Sequence, residues 1–230
     1  MKVMVTLSCV LGMMTTVAAA GKLSSDEVKR LNEAATVLSE LRAAPDNGIP
    51  QDLWNKTECV VVIPSMKKAA FLVGGEYGSG VMSCKSGGNW SSPVFMQLAK
   101  GSVGFQIGAQ STDLVLVVMN RRGMDKLLND KVTLGADMSV AAGPVGRTAS
   151  AATDAQLNAE MLSYSRSQGL FAGVNLSGGA LTPDKDANAR AYGSVDARAV
   201  AMGETHPVLQ EGAPFLNALR QSASPAAPAN

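Results

Sequence analysis

The chain is 230 residues long, 46% hydrophobic and 17% charged, and its 20 Lys and Arg nearly balance 19 Asp and Glu. A chain this close to neutral, whose longest basic runs are Lys67-Lys68 and Arg121-Arg122, lacks the field or dense patch that phosphate-backbone binding needs, so no nucleic acid partner is expected. Its one histidine, His206, leaves no set for zinc and little for histidine-based catalysis.

Residues 1–20 set one cation, Lys2, before an apolar run over 3–17 and close on Ala18-Ala19-Ala20, the layout of a secretory signal peptide with an A-x-A cleavage site. The run is interrupted by Thr6, Ser8, Thr15 and Thr16, whereas spanning a bilayer takes about 20 predominantly apolar residues, so cleavage is expected rather than an anchor. Cleavage after Ala20 removes Lys2 and Cys9, brings the formal net charge to zero, and predicts a periplasmic or envelope-associated protein. The remainder reads as a single domain, 21–221, followed by a Ser/Ala/Pro-rich tail, 222–230, of disordered composition. Two cysteines stay in the domain, Cys59 and Cys84. An even pair in an exported chain reads as a disulfide, the alternative being two buried thiols.

Ser24-Ser25-Asp26-Glu27 has the pattern of a capping box. Val28, Leu31, Ala34, Ala35, Leu38 and Leu41 follow at three- and four-residue steps, which predicts an amphipathic helix ending before Pro45. Its polar face mixes Lys29, Arg30 and Arg42 with Glu33 and Glu40, which suits a helix docked on a core better than one that seeks membranes. From Cys59 to Leu181 the pattern turns to short strands parted by glycine. The run 59–63, stopped by Pro64, reads as a strand covered on both faces, and 69–73, 81–85 and 94–98 read as further strands. Residues 102–110 alternate, with Val103, Phe105, Ile107 and Ala109 on one face. Gly104 and Gly108 on the other are expected to let another element approach closely. Strands are also predicted at 113–119, 132–142 and 170–176, and short helices at 124–128, 186–192 and around 209–221. The expected class is α+β: a strongly curved, mainly antiparallel, glycine-rich sheet, barrel-like in its bending, with an N-terminal amphipathic helix and short C-terminal helices.

Catalytic templates fail on the residues. His206 precedes Pro207 and reads as a turn residue, and the chain has no Gly-x-Ser-x-Gly elbow, His-Glu-x-x-His pair or phosphate loop ending in Gly-Lys-Ser/Thr. Asp184-Lys185-Asp186-Ala187-Asn188 opens like a calcium loop, but Ala189 stands where glycine is required and Val195 where glutamate is required, so Asp184 or Asp186 is read as a helix cap. Asp113, Asp137, Asp154 and Glu160 are the carboxylates from which a paired-acid site would have to come. With Arg147 and Arg166 available, structural ion pairs are the expected outcome. No catalytic residue, metal or cofactor is expected.

Several phrases in order carry a family resemblance: the ten residues 101–110, Asp113-Leu114-Val115-Leu116, the run 141–147, Tyr164-Ser165-Arg166, the run 169–174, and Ala191-Tyr192-Gly193, together with 59–64 and Trp90-Ser91. They resemble the SYLF domain family over roughly residues 27–195. The resemblance implies a non-enzymatic lipid-binding module, with phosphoinositides and actin as partners of eukaryotic relatives. For an exported bacterial member it implies membrane lipid, an acidic phospholipid included, rather than actin. Lys29, Arg30, Lys67 and Lys68 are the cations expected to meet an anionic head group. A structural or interaction protein of the envelope without a lipid ligand is the alternative, and a carboxylate-based enzyme a third.

Overall fold

The N-terminal helix starts where its cap predicts. In the computed structural model, which describes residues 22–44, 48–71, 73–103, 110–145, 158–167 and 170–224, the Ser24 N–H donates to Glu27 Oε2 at 2.6 Å. The Glu27 N–H donates back to Ser24 Oγ at 3.4 Å. Helix α1 (Ser25–Arg42) then buries Leu31, Ala34, Val37, Leu38 and Leu41 along one face. The signal-like leader, Gly104, Gly108 and residues 225–230 lie outside the described residues.

The middle of the chain supplies β1 (Cys59–Phe71), β2 (Val73–Ser86), β3 (Asn89–Trp90), β4 (Val94–Val103), β5 (Gln110–Val118), β6 (Val132–Thr133), β7 (Val140–Ala142), β8 (Met161–Ser167), β9 (Leu170–Gly173) and β10 (Gly179–Pro183). Among the described residues they form one strongly curled sheet, a half-barrel, in the order β6-β10-β4-β2-β1-β5-β8-β7, with β3 beside β2 and β9 beside β8. Pairing is antiparallel except between β7 and β8. The short helices are α2 (Gln51–Lys56), α3 (Arg121–Leu127), α4 (Lys185–Tyr192), α5 (Ala197–Met202) and α6 (Ala213–Ala223). Helix α1 lies on β1 and β2 and packs against α6, while α4 and α5 rest on β4 and β2. Central β1 is fully buried from Cys59 through Ile63, as its continuous apolar run requires.

Two boundaries differ from expectation for local reasons. Pro64 does not end β1. The strand takes one extra residue there against both neighbours, shifting register between Val62 and Lys67 on the β2 side and between Ile63 and Met66 on the β5 side. A bulge is one of the few places a sheet tolerates proline, which has no N–H to give the ladder. The alternation over 132–142 is not one strand either. Gly135 takes φ +86°, and the Asp137 carboxylate turns back to accept from the Thr133 N–H at 2.8 Å, so a turn separates β6 from β7. Helix α6, in contrast, runs on through Ser222, whose buried hydroxyl donates to Leu38 O of α1 at 3.2 Å.

The bulge fits against β2 because Gly78 and Gly80 face it. A Cβ at Gly80 would stand 2.3 Å from Val62 O and 2.7 Å from an Ile63 side-chain carbon. Relief requires moving backbone, so Gly80→Ala is expected to cost about 2–3 kcal/mol. Urea unfolding should show a lower midpoint at unchanged slope, and an unchanged midpoint would mean that β1 and β2 are less tightly apposed.

Candidate functional site

The bulge decides what stands on the surface beside α1. At its apex Ser65 takes φ +55°, a left-handed conformation uncommon for a residue with a side chain, and its N–H donates to Asp113 Oδ1 of β5 at 2.9 Å. Asp113 Oδ2 in turn accepts from Arg166 Nε of β8 at 2.9 Å. The same guanidinium pairs with Glu40 of α1 and lies 5.8 Å from the ring centre of Phe171. One arginine thus ties β8, β5 and the bulge to α1 at Glu40, near the helix C-terminus, while the bulge itself lies beside the N-terminal half of α1.

Between that half-helix and the bulge lies an open groove of about 560 Å³. Lys29 and Arg30 line it from α1, Lys67 from β1, Tyr77 and Ser79 from β2 and Ser111 from β5. Three of the four cations predicted from sequence, drawn from two separate segments, therefore meet in one place. Lys68 follows on β1, where its backbone stands opposite Glu76 of β2 and Gln110 of β5.

The cations are not equivalent. Arg30 is only 15% exposed and donates to Asp184 Oδ2 at 2.9 Å, with its guanidinium 5.5 Å from the ring centre of Phe95. Burial pushes the Asp184 carboxyl up. The Arg30 hydrogen bond, the Ala187 N–H and the Gln97 side chain outweigh that, and the net effect holds it below the ordinary carboxylate range. Asp184 also caps α4 through that Ala187 N–H, as the sequence suggests. Arg30 is thus committed within the fold. Lys29, by comparison, is 71% exposed and pairs with Glu33 at 3.7 Å, and Lys67 is exposed. The acidic Asp26 and Glu33 share the α1 wall, so the groove is polar and of mixed charge.

Sequence reading missed Tyr77, Ser65, Ser79 and Ser111. Tyr77 is 49% exposed, with its hydroxyl 3.3 Å from Ser79 Oγ, and an exposed aromatic beside glycines was the one available clue. The three described carboxylates of the four, Asp113, Asp137 and Glu160, do not converge. Asp113 pairs with Arg166, Asp137 bonds its own turn, and Asp154 and Arg147 lie outside the described residues. Glu160 accepts from Lys126 at 2.8 Å and from the Ser139 N–H at 3.0 Å, with Arg122 at 3.3 Å. Burial raises its carboxyl, but these donors and charges bring it below the usual range, as an ion pair fastening α3 to the sheet. His206 sits exposed between helices. Cys59 and Cys84, directly opposite one another on β1 and β2, form a disulfide.

Comparison with known proteins places this architecture. Residues 99–222 match the Ysc84 family, described as Las17-binding protein actin regulator. SH3 domain-containing YSC84-like protein 1 of Xenopus laevis is 35% identical over 178 residues, covering 76% of this chain and 52% of its own length. SH3 domain-containing protein PJ696.02 of Schizosaccharomyces pombe is 38% identical over 149 residues, 63% of this chain and 35% of its own. LAS seventeen-binding protein 3 of Saccharomyces cerevisiae is 35% identical over 168 residues, 70% of this chain and 36% of its own. The chain thus spans at most about half the length of these relatives. The match runs from the end of β4 to α6, and the similarity to whole relatives extends over most of the sheet and helices, so this chain belongs to the Ysc84 family, the SYLF domain family that its sequence phrases resemble.

Proposed function

We propose that the domain is a non-enzymatic lipid-binding module of the bacterial envelope that meets an anionic membrane surface with Lys29 and Lys67. The supporting observation is their convergence: cations from α1 and from the bulged β1 stand on one groove, both accessible to a head group. The signal-like leader and the Cys59–Cys84 disulfide support an oxidising, extracytoplasmic location. No helix among the described residues is long and apolar enough to cross a membrane.

Each cation close to an anionic surface contributes about 1 kcal/mol, so Lys29→Ala/Lys67→Ala should weaken binding to phosphatidylglycerol-containing vesicles roughly thirtyfold at low salt. Co-sedimentation at low and high salt, against phosphatidylcholine vesicles, measures this. Equal binding by wild type and double variant, or equal binding to both vesicles, rejects the cationic mechanism. A second reading has a protein on this face, because relatives are named for binding Las17 and the family is described as an actin regulator. The acidic Asp26 and Glu33 beside the lysines suit such a partner. Binding to filamentous actin without vesicles, lost in the same variant, would favour it.

A further inference from the structure

The charges that line the groove between α1 and the bulge come in both signs. Asp26, Lys29, Arg30 and Glu33 recur at helical spacing, so acid, base, base and acid follow one another along one face of α1. Arg30 is consumed by Asp184. Lys29 and Lys67 then stand against Asp26 and Glu33, a balance of charge among the described lining residues. Asp26 is exposed, and the Glu33 side chain is 41% exposed beside Lys29. An exposed pair of this kind is worth little and opens readily to a ligand.

A ligand carrying only negative charge would meet both carboxylates as it reached the lysines. One that carries a cation close to its phosphate satisfies both signs. Acid and base on α1 are about one turn apart, roughly 5 Å, and the two-carbon arm of a phosphoethanolamine holds its ammonium at a comparable span from its phosphate. Hydroxyls of Tyr77, Ser79 and Ser111 line the sheet side of the same groove. Carboxylates and hydroxyls accept from N–H groups, which a primary ammonium offers and the trimethylammonium of phosphocholine lacks. Choline is read by a cage of aromatic rings, whereas Tyr77 is the one aromatic among the described lining residues.

We infer that the groove reads the head group of phosphatidylethanolamine, with Lys29 and Lys67 on its phosphate and Asp26 and Glu33 on its ammonium. This rests on the lipid-binding reading and adds which head group is selected once the lysines have brought the domain to an anionic surface. A soluble glycerol ester carries the same phosphoethanolamine, so the test separates the two sources.

Vesicles of phosphatidylethanolamine and phosphatidylglycerol are compared with vesicles in which phosphatidylcholine replaces the ethanolamine lipid at equal phosphatidylglycerol. Wild type should bind the first mixture about tenfold more tightly, the factor of one net hydrogen bond to a charged group. Asp26→Asn/Glu33→Gln should lose that preference and bind the second mixture at least as well as wild type, since two carboxylates no longer repel its anionic lipid. Both side chains are exposed and the α1 cap is Ser24 with Glu27, so the variant should keep the wild-type urea midpoint. Equal binding of wild type to the two mixtures overturns the head-group assignment and leaves lipid binding standing. A preference that the variant retains belongs to the packing of the bilayer and overturns it as well. Glycerophosphoethanolamine in solution should bind wild type more weakly than the vesicles do, or not at all. Binding as tight as to vesicles assigns the groove to a soluble ester and overturns the lipid as its ligand. Wild type that binds neither mixture overturns the lipid-binding reading itself.

Discussion

Replacing Cys59 and Cys84 together by alanine is expected to lower the melting temperature by about 10 °C. The disulfide joins residues 25 apart in sequence, and the chain-entropy relation gives about 3.5 kcal/mol for a loop of that size. In a domain of this length each kcal/mol moves the midpoint by about 2–4 °C. The half-cystines occupy directly opposite positions on β1 and β2 and are fully buried, so the bond joins strands that already pair. Calorimetry of the variant, and of wild type with reductant during unfolding, should give the same lowered midpoint. A shift of less than about 2 °C would mean that the unfolded chain is little restrained by the bond.

Arg30→Ala should be comparably damaging, at about 3 kcal/mol, because it leaves the Asp184 carboxylate, itself 8% exposed, without its charge partner. The pH dependence carries the proof. The folded-state pKa of Asp184 lies below its ordinary 3.8, so its contribution is present above that value and is lost as pH falls through the lower folded value. Without Arg30, burial is offset only by the Ala187 N–H and the Gln97 side chain, and the carboxyl rises. The deficit of the variant is then greatest near neutral pH and narrows in acid, where Asp184 takes up a proton. A deficit that is the same at about pH 7 and about pH 3 would assign the loss to packing over Phe95 alone. It also follows that the Lys29/Lys67 pair, and not Arg30, is the clean probe of lipid binding.

Local chemistry in the sequence predicted the elements that local chemistry decides. The Ser24 and Glu27 box, the three-and-four spacing after it, the Asp184 cap and the apolar run at Cys59 each act over a few residues and were legible. Strand β8 was carried only as the phrase Tyr164-Ser165-Arg166. Its serines look exposed in sequence, yet Ser163 is fully buried and donates to Ala141 O at 3.1 Å, so its polarity is answered by neighbouring backbone. Strand β10, Gly179–Pro183, has the ends of a turn and becomes a strand because β4 and β6 pair with it from either side. At the site, Lys29 and Lys67 were visible as charges. That Arg30 is consumed by Asp184 was not, because the partner lies 154 positions away.

That separation bears on how the chain acquires its structure. Arg30 is held by Asp184, the buried Glu27 by Arg190 at a separation of 163, and Leu38 O by Ser222 at 184. Helix α1 is therefore locked down by segments that emerge from the ribosome more than 150 residues after it, and until then the part of its apolar stripe that α6 covers stays open. Holdase chaperones recognise such surfaces, and a chain whose α1 waits for α4 and α6 before closing stays threadable until those helices are made. Loss of a few residues from the end of α6 would thus be felt first at the opposite terminus, as a loosened α1 and a protease-sensitive N-terminal third.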